Sequence, residues 1–266
     1  MNKENNFLYE DIFSRNIGIF SYEEIKKIKA LKVGIVGAGA LGGSTATMLA
    51  RLGVGEIRII DPEDFEISNI NRQFCAYVDT VGKNKAQMVK KELIRINPNI
   101  KVVALSEGIS NSNVDEFLLN IDVIIDAIEF FEIEKEKIIY TYARNNRIWV
   151  FTAQAVNNLF TVTCFDPSGK SFEEIILDDG KINLRSIIDK FFPVLPKEAT
   201  KKLINEVIDK KELHISSYSV PAPLGASFVV NELIKKIIKE QRPSAIAPDI
   251  LVVDMENLYI KTISKK

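Results

Sequence analysis

The chain is poor in metal-binding and thiol chemistry. It has two cysteines, Cys75 and Cys164, and one histidine, His214. A structural zinc ribbon takes four Cys or His ligands, which one copy of this chain cannot supply, and the cysteines form no C-x-x-C pair. Charge of one sign is equally scarce. A formal net charge of −1 over 266 residues sets up no global basic field for nucleic acid or an anionic membrane. Long apolar runs are missing too: no stretch approaches the ~18 residues of a membrane span, and "MNKENNFLYEDIF" has no apolar signal-peptide core. The expectation is a cytoplasmic protein with reduced thiols and no membrane partner.

What is present suits an enzyme. Hydrophobic residues make up 46% and charged residues 27%, and the length allows one large α/β domain or a domain with an appendage. Residues 1–30 read as a helical lead-in, with Ile25, Ile28 and Leu31 on one face behind Ser21 as N-cap. Residues 31–158 alternate strand and helix. "KVGIVG", "EIRIID", "KVVAL", "DVIIDAI" and "IWVFTA" read as buried strands; "KNKAQMVKKELIRINP", "VDEFLLN" and "IEKEKIIYTYARNN" read as helices. This predicts a Rossmann-like, doubly wound and mostly parallel sheet covered on both faces.

Residues 159–266 depart from that rhythm and read as a variable substrate region packed on the same domain. "LFTVTCF" alternates like an antiparallel or edge strand, and "DPSGKSFEEIILDDGK" supplies turn chemistry. Residues 185–212 suggest two short helices around "FFPVLP", "LGASFVVNELIKKIIKE" a strong helix, and "ILVVDMENLYIKTIS" a hairpin turning at Met255, Glu256 and Asn257.

"GAGALG" follows the first strand and opens a helix. Gly37 would make the tight turn, Gly39 the close approach to phosphate, and Gly42 the contact of helix with strand. Free amides and the helix dipole then favour an anion. Asp61 ends the second strand, where a carboxylate accepts from ribose hydroxyls. By itself this motif does not separate NAD, FAD, S-adenosylmethionine and ATP.

"ISNINRQF" narrows the choice. Arg72 offers a bidentate fork for phosphate and Lys85 a compact charge at a helix start. Asn69 and Gln73 are placed to hold that arginine or the sugar. Taken singly, either cation reads as a solvated surface charge. Taken together, beside a turn whose amides already neutralise a pyrophosphate, they suggest a triphosphate, hence ATP.

In order and spacing, "GAGALG", "IIDPEDFEISNINRQF", "VGKNKA", "INP" and "VIIDAIEFF" resemble the ThiF/MoeB/HesA superfamily of E1-like enzymes, which adenylate carboxylates. The resemblance runs from Arg15 to about Thr152 and resumes at "PAPLGASFVVNELIKKI". It implies that Asp61 binds ribose, with Glu63, Asn69, Gln73 and Asp126 in the same nucleotide site, and that Arg72 and Lys85 bind phosphates. It further implies a homodimer in which Arg15 reaches the partner's ATP.

The usual D-x-x-D is here Asp126-Ala127-Ile128-Glu129, so the magnesium ligand would be Glu129, which keeps the charge and adds a methylene. The family's two C-x-x-C zinc pairs and its later catalytic cysteine are missing; Cys164, in an apolar strand, reads as a core residue, and nothing adjacent activates Cys75. His214 has no triad partner nearby.

The expected reaction is attack of a carboxylate, such as the C-terminus of a small carrier protein or peptide, on ATP to give an acyl adenylate and pyrophosphate. The alternatives are a relative of the threonylcarbamoyladenosine tRNA dehydratases, disfavoured by the lack of basic charge for tRNA, and a nucleotide-binding scaffold with weakened chemistry. An NAD-dependent oxidoreductase ranks below both.

Overall fold

The computed structural model describes residues 8–129, 132–194 and 217–264. The lead-in consists of α1 (Tyr9–Ile12), a 3₁₀ turn (Ser14–Asn16) and α2 (Tyr22–Ala30), the last opened by a capping box between Ser21 and Glu24. Tyr9 donates its hydroxyl to the Gly53 carbonyl at 2.7 Å and Asn16 donates to the Leu52 carbonyl at 2.9 Å. Both bonds satisfy carbonyls that the end of the next helix leaves open, so the lead-in is pinned to the body.

The body alternates β1 (Lys32–Val36), α3 (Ala40–Leu52), β2 (Glu56–Ile60), α4 (Lys85–Ile96), β3 (Lys101–Leu105), α5 (Val114–Phe117), β4 (Val123–Asp126), α6 (Ile133–Asn145) and β5 (Trp149–Val156). Then come β6 (Leu159–Phe165), α7 (Phe172–Ile176), β7 (Leu177–Asp178), β8 (Lys181–Ile182) and α8 (Leu184–Phe191). The chain closes with α9 (Pro221–Leu233), which runs on as a π-helical turn (Ile234–Ile238), and the hairpin of β9 (Ile250–Asp254) and β10 (Tyr259–Ile263).

Eight strands form one sheet in the order β10-β9-β6-β5-β4-β1-β2-β3. The half from β5 to β3 is parallel, and the half from β5 to β10 is antiparallel. Apolar side chains from α3, α4 and α9 pack on one face, and those from α5, α6, α7 and α8 on the other. Burial on both faces explains why the central strands are near-continuous Ile and Val.

Two readings of the variable region are refined. For "LFTVTCF" the antiparallel alternative holds and the edge alternative does not: β6 pairs antiparallel with β5 and β9 and is buried along its whole length between them. Its threonines supply the apparent alternation, because Thr161 and Thr163 are as buried as their apolar neighbours. "DPSGKSFEEIILDDGK" is more than a turn. Ser171 and Glu174 form a capping box that starts α7, and β7 and β8 make a small hairpin. Of the two helices expected in 185–212, the first corresponds to α8; the second, and His214, lie outside the described residues.

Candidate active site

Strand order reverses direction at β1 and β4, where the connections leave toward opposite faces, and a cleft opens above the C-terminal ends of β1, β2, β4 and β5. Its volume is about 260 Å³. Gly37, Gly39, Asp61, Glu63, Arg72, Gln73, Lys85 and Glu129 all line it. The fold therefore brings together eight side chains or turn positions spread over more than ninety residues of sequence.

The glycines divide their work as geometry demands. Gly37 has φ +100°, and a Cβ there would sit 2.3 Å from the Ala127 carbonyl oxygen. At Gly42 it would sit 1.9 Å from the Gly37 carbonyl oxygen, so α3 approaches the turn only because a side chain is missing. Gly39 is different: a Cβ would project into the cleft, its nearest neighbour the Gln73 Nε2 at 3.9 Å. No side chain caps α3, and its first turn faces the cleft through Gly39, Ala40 and Leu41.

Asp61 is buried and accepts from the Ala38 N–H at 2.6 Å and the Glu63 N–H at 2.8 Å. It thus clamps the glycine-rich turn to the loop after β2. Burial raises its carboxyl pKa despite these hydrogen bonds. Lys85, at the start of α4, is no solvated charge. Its side chain is 7% exposed and its Nζ lies 2.5 Å from Glu63 Oε2, while the Glu63 side chain is 64% exposed. Burial raises the Glu129 carboxyl, and the neighbouring charge of Glu63 adds to the shift.

The loop "SNINRQF" is built differently from expectation. Arg72 Nη1 donates to the Ser68 carbonyl and to Asn71 Oδ1, each at 2.9 Å, so Ser68 and Asn71 hold the guanidinium rather than Asn69 and Gln73. Asn69 is buried and shapes the turn: its Oδ1 accepts the Glu66 N–H at 3.1 Å, and its carbonyl accepts the N–H groups of Arg72 and Gln73. It is not part of the cleft lining. Gln73 is buried with an unpartnered Oε1. Asn71 also donates to the Ser217 carbonyl at 3.0 Å, joining this loop to the segment that enters α9.

Asp126 is displaced from its expected role. It points beneath the cleft, where it is 1% exposed and accepts from Ile128 N–H at 3.2 Å and from the Tyr140 hydroxyl at 2.9 Å. The reason is strand parity: Asp126 shares the α6 face of β4 with Ile124. Its contact with Ile128 fixes the turn that carries Glu129. Burial pushes the Asp126 carboxyl up to about 6, and buried Glu136 beside it is held well above the ordinary range by burial first and by Asp126 second.

Arg15 is exposed on the 3₁₀ turn and does not line the cleft of its own chain. The thiols are buried: Cys75 is pushed up to about 12 and Cys164 well above its usual value, chiefly by desolvation. Gln154, Glu132 and Lys135 also line the cleft; nothing in their sequence context marked them, because each is brought there by the ends of β5 and α6. Glu132 and Lys135 pair at 3.0 Å on the rim.

Among the described residues no group of three or more His, Cys, Asp or Glu side chains gathers to hold a metal. Four carboxylates line the cleft: Asp61 is held by two backbone N–H groups and Glu132 by Lys135, and the other two are Glu63 and Glu129. That last pair fits magnesium bound through one or two carboxylates plus phosphate oxygens. No helix among the described residues is long and apolar enough to cross a membrane.

Comparison with known proteins places the chain in a family. The ThiF family profile matches residues 13–265. The chain belongs to the ThiF family. Similar curated proteins include the tRNA threonylcarbamoyladenosine dehydratase of Bacillus subtilis (strain 168), 36% identical over 116 residues, 43% of this chain and 46% of that one. The sulfur carrier protein ThiS adenylyltransferase of the same organism is 38% identical over 109 residues, 40% of this chain and 32% of that one.

The chain thus spans about half or less of the length of these ThiF-family relatives. Among solved structures, PaaA superposes with a TM-score of 0.78 at 22% identity, covering 99% of this chain and 85% of PaaA. The E. coli MccB structure with ATP gives 0.73 at 21% identity, covering 96% and 71%. At such identities the likeness is one of fold.

Proposed function

We propose that this ThiF-family chain is an adenylyltransferase that binds Mg·ATP in the cleft and activates a carboxylate. The convergence of Arg72, Lys85 and the uncapped start of α3 on one pocket carries the reading. Asp61 would receive the ribose, and Pro62, Gly108, Ile109 and Ile128 offer the flat apolar surfaces a base requires. Magnesium would be held by Glu129 and would neutralise charge on the phosphates.

A carboxylate oxygen then forms a bond to the α-phosphorus as the bond from that phosphorus to the bridging oxygen breaks. Pyrophosphate leaves with the electron pair, and no protein nucleophile is used. Arg72 and Lys85 contribute by orienting the chain and by balancing the charge that develops on the leaving group. Buried cysteines with raised thiol pKa values suit this economy, since neither is poised to accept an acyl group.

The carboxylate would enter between β5 and α9, where Ala153, Ala155, Phe160, Ala222 and Gly225 line the cleft. That end is mostly apolar, which suits a chain terminus, so the favoured substrate is a small carrier protein or peptide. We further propose a homodimer in which Arg15 completes the partner's site, and a cytoplasmic setting. The second reading is a dehydratase acting on a tRNA-borne carboxylate, supported by the sequence likeness to the Bacillus subtilis enzyme.

The test is substrate-dependent exchange of labelled pyrophosphate into ATP, with peptide termini and threonylcarbamoyl-modified tRNA as rival substrates. Arg72→Ala should abolish exchange. Undiminished exchange in that variant would remove the site assignment.

A further inference from the structure

Besides buried Asp61 and the Glu132–Lys135 pair on the rim, the charged side chains lining the cleft are two cations, Arg72 and Lys85, and two carboxylates, Glu63 and Glu129, and neither of these cations is free. Arg72 is held by neutral oxygens, which it can keep while its remaining N–H groups face a ligand. Lys85 is held by a carboxylate. Its ammonium is buried, its partner is mostly exposed, and the two backbones are clipped together by the Lys85 N–H on the Glu63 carbonyl at 2.9 Å. Asn84 ties the same carbonyl at 3.1 Å. Opening this ion pair therefore needs rotation of the exposed Glu63 side chain and no movement of α4.

A triphosphate brings several negative charges to this spot. If Lys85 turned to the phosphates alone, Glu63 would be left unpaired next to them and next to Glu129, whose carboxyl already registers its charge. A divalent cation between phosphates and carboxylates relieves the conflict. In the same cleft lining the unpartnered Oε1 of Gln73, a residue 8% exposed, can accept from a donor such as a cation's bound water.

We propose that Glu63 is an exchangeable counter-ion: it neutralises Lys85 in the empty cleft, and joins Glu129 on the nucleotide's divalent cation when Lys85 moves to the phosphates. Nucleotide binding is then coupled to the metal through Glu63. This rests on the reading of the cleft as an ATP site.

The test is equilibrium binding of a fluorescent ATP analogue in excess Mg²⁺ and in EDTA, with wild type and E63Q. Gln keeps an acceptor for Lys85 and removes the charge. Wild-type affinity should fall between about fivefold and a hundredfold without metal, and E63Q should bring that ratio below about fivefold, mainly by binding the metal-free analogue more tightly. Mn²⁺ affinity of the analogue complex, read by water-proton relaxation, should drop in E63Q and in E129Q.

A wild-type ratio preserved in E63Q, with unchanged Mn²⁺ affinity, overturns the exchange while leaving the ATP site standing. Absence of binding by wild type in Mg²⁺ overturns the ATP reading itself. Unchanged thermal unfolding of E63Q excludes a folding defect.

Discussion

Tyr140 donates its hydroxyl to Asp126 at 2.9 Å directly beneath the turn that carries Glu129, and Glu136 from the preceding turn of α6 is buried beside them. Two carboxylates in one dry site cannot both be charged cheaply. Asp126 has two donors, Ile128 N–H and Tyr140 O–H, so the proton belongs on Glu136. Both folded-state pKa values lie above their unfolded ones. The folded chain therefore binds more protons, and the stability these groups contribute is complete below the ordinary carboxylate range and is lost as pH rises through the raised values.

For Asp126 that window runs from its ordinary 3.8 to about 6, and for Glu136 it extends upward from 4.5. Glu136→Gln keeps the shape and removes the titration. Urea unfolding between pH 5 and pH 9 should show a shallower fall for this variant, with a gain over wild type that grows with pH. Parallel curves would show that Glu136 does not titrate in this range.

Gly39 and Gly42 separate binding from folding. A methyl at Gly42 would strike the Gly37 carbonyl oxygen, a backbone atom with no room to yield, so Gly42→Ala should fail to fold or lose several kcal/mol. Gly39→Ala meets only the open cleft and has an ordinary φ of −74°. Its thermal unfolding should stay within about 1 kcal/mol of wild type, while ATP affinity falls because the methyl occupies space a phosphate needs. Calorimetric titration alongside a melting curve reads both.

Glu232 on α9 fixes the C-terminal region. Its carboxylate accepts from the Ser244 N–H, from the Ser244 hydroxyl at 2.9 Å and from Lys235 Nζ at 3.2 Å, and its side chain is 3% exposed. Glu232→Ala should cost about 3 kcal/mol by chemical denaturation, since it strands a part-buried N–H and a part-buried cation that both relied on a buried carboxylate. Glu232→Gln should recover part of this. Equal losses would mean that packing volume, not hydrogen bonding, sets the cost.

Much of this architecture was legible because its signals are local. The alternation of buried strands with amphipathic helices, the cap at Ser21 and the turn at Gly37 each rest on a few neighbouring residues. The pocket's membership was legible for a related reason: the glycine turn, Asp61 and Lys85 lie at the ends of recognisable elements, and Arg72 and Glu129 lie in short motifs beyond them.

Pairing was not. Arg72 chose Ser68 and Asn71 over Asn69 and Gln73 because the loop folds as a 3₁₀ turn that spends the Asn69 side chain on its own backbone. Asp126 went below the cleft through strand parity, and Lys85 found Glu63 only once α4 had docked on the β2 loop. Such choices depend on tertiary approach, which spacing does not encode.

Arg15 gives the sharpest test of assembly. It is exposed, stands away from its own cleft, and sits on a turn anchored to the end of α3 by Asn16. Around it and along the "ISNINRQF" loop are exposed apolar side chains, among them Ile17, Ile19, Ile67 and Phe74. These features suit a symmetric interface that carries Arg15 into a second copy's site. If so, Arg15→Ala and Arg72→Ala chains should each lack pyrophosphate exchange and complement each other when mixed as dissociated subunits.

In a mixed dimer one site receives both arginines and the other neither. Random reassociation makes half the dimers mixed, so recovered activity should approach about a quarter of wild type per total site. Analytical ultracentrifugation of the same mixture shows whether dimers have reformed. Reformed dimers with no recovered exchange would place Arg15 outside the partner's chemistry.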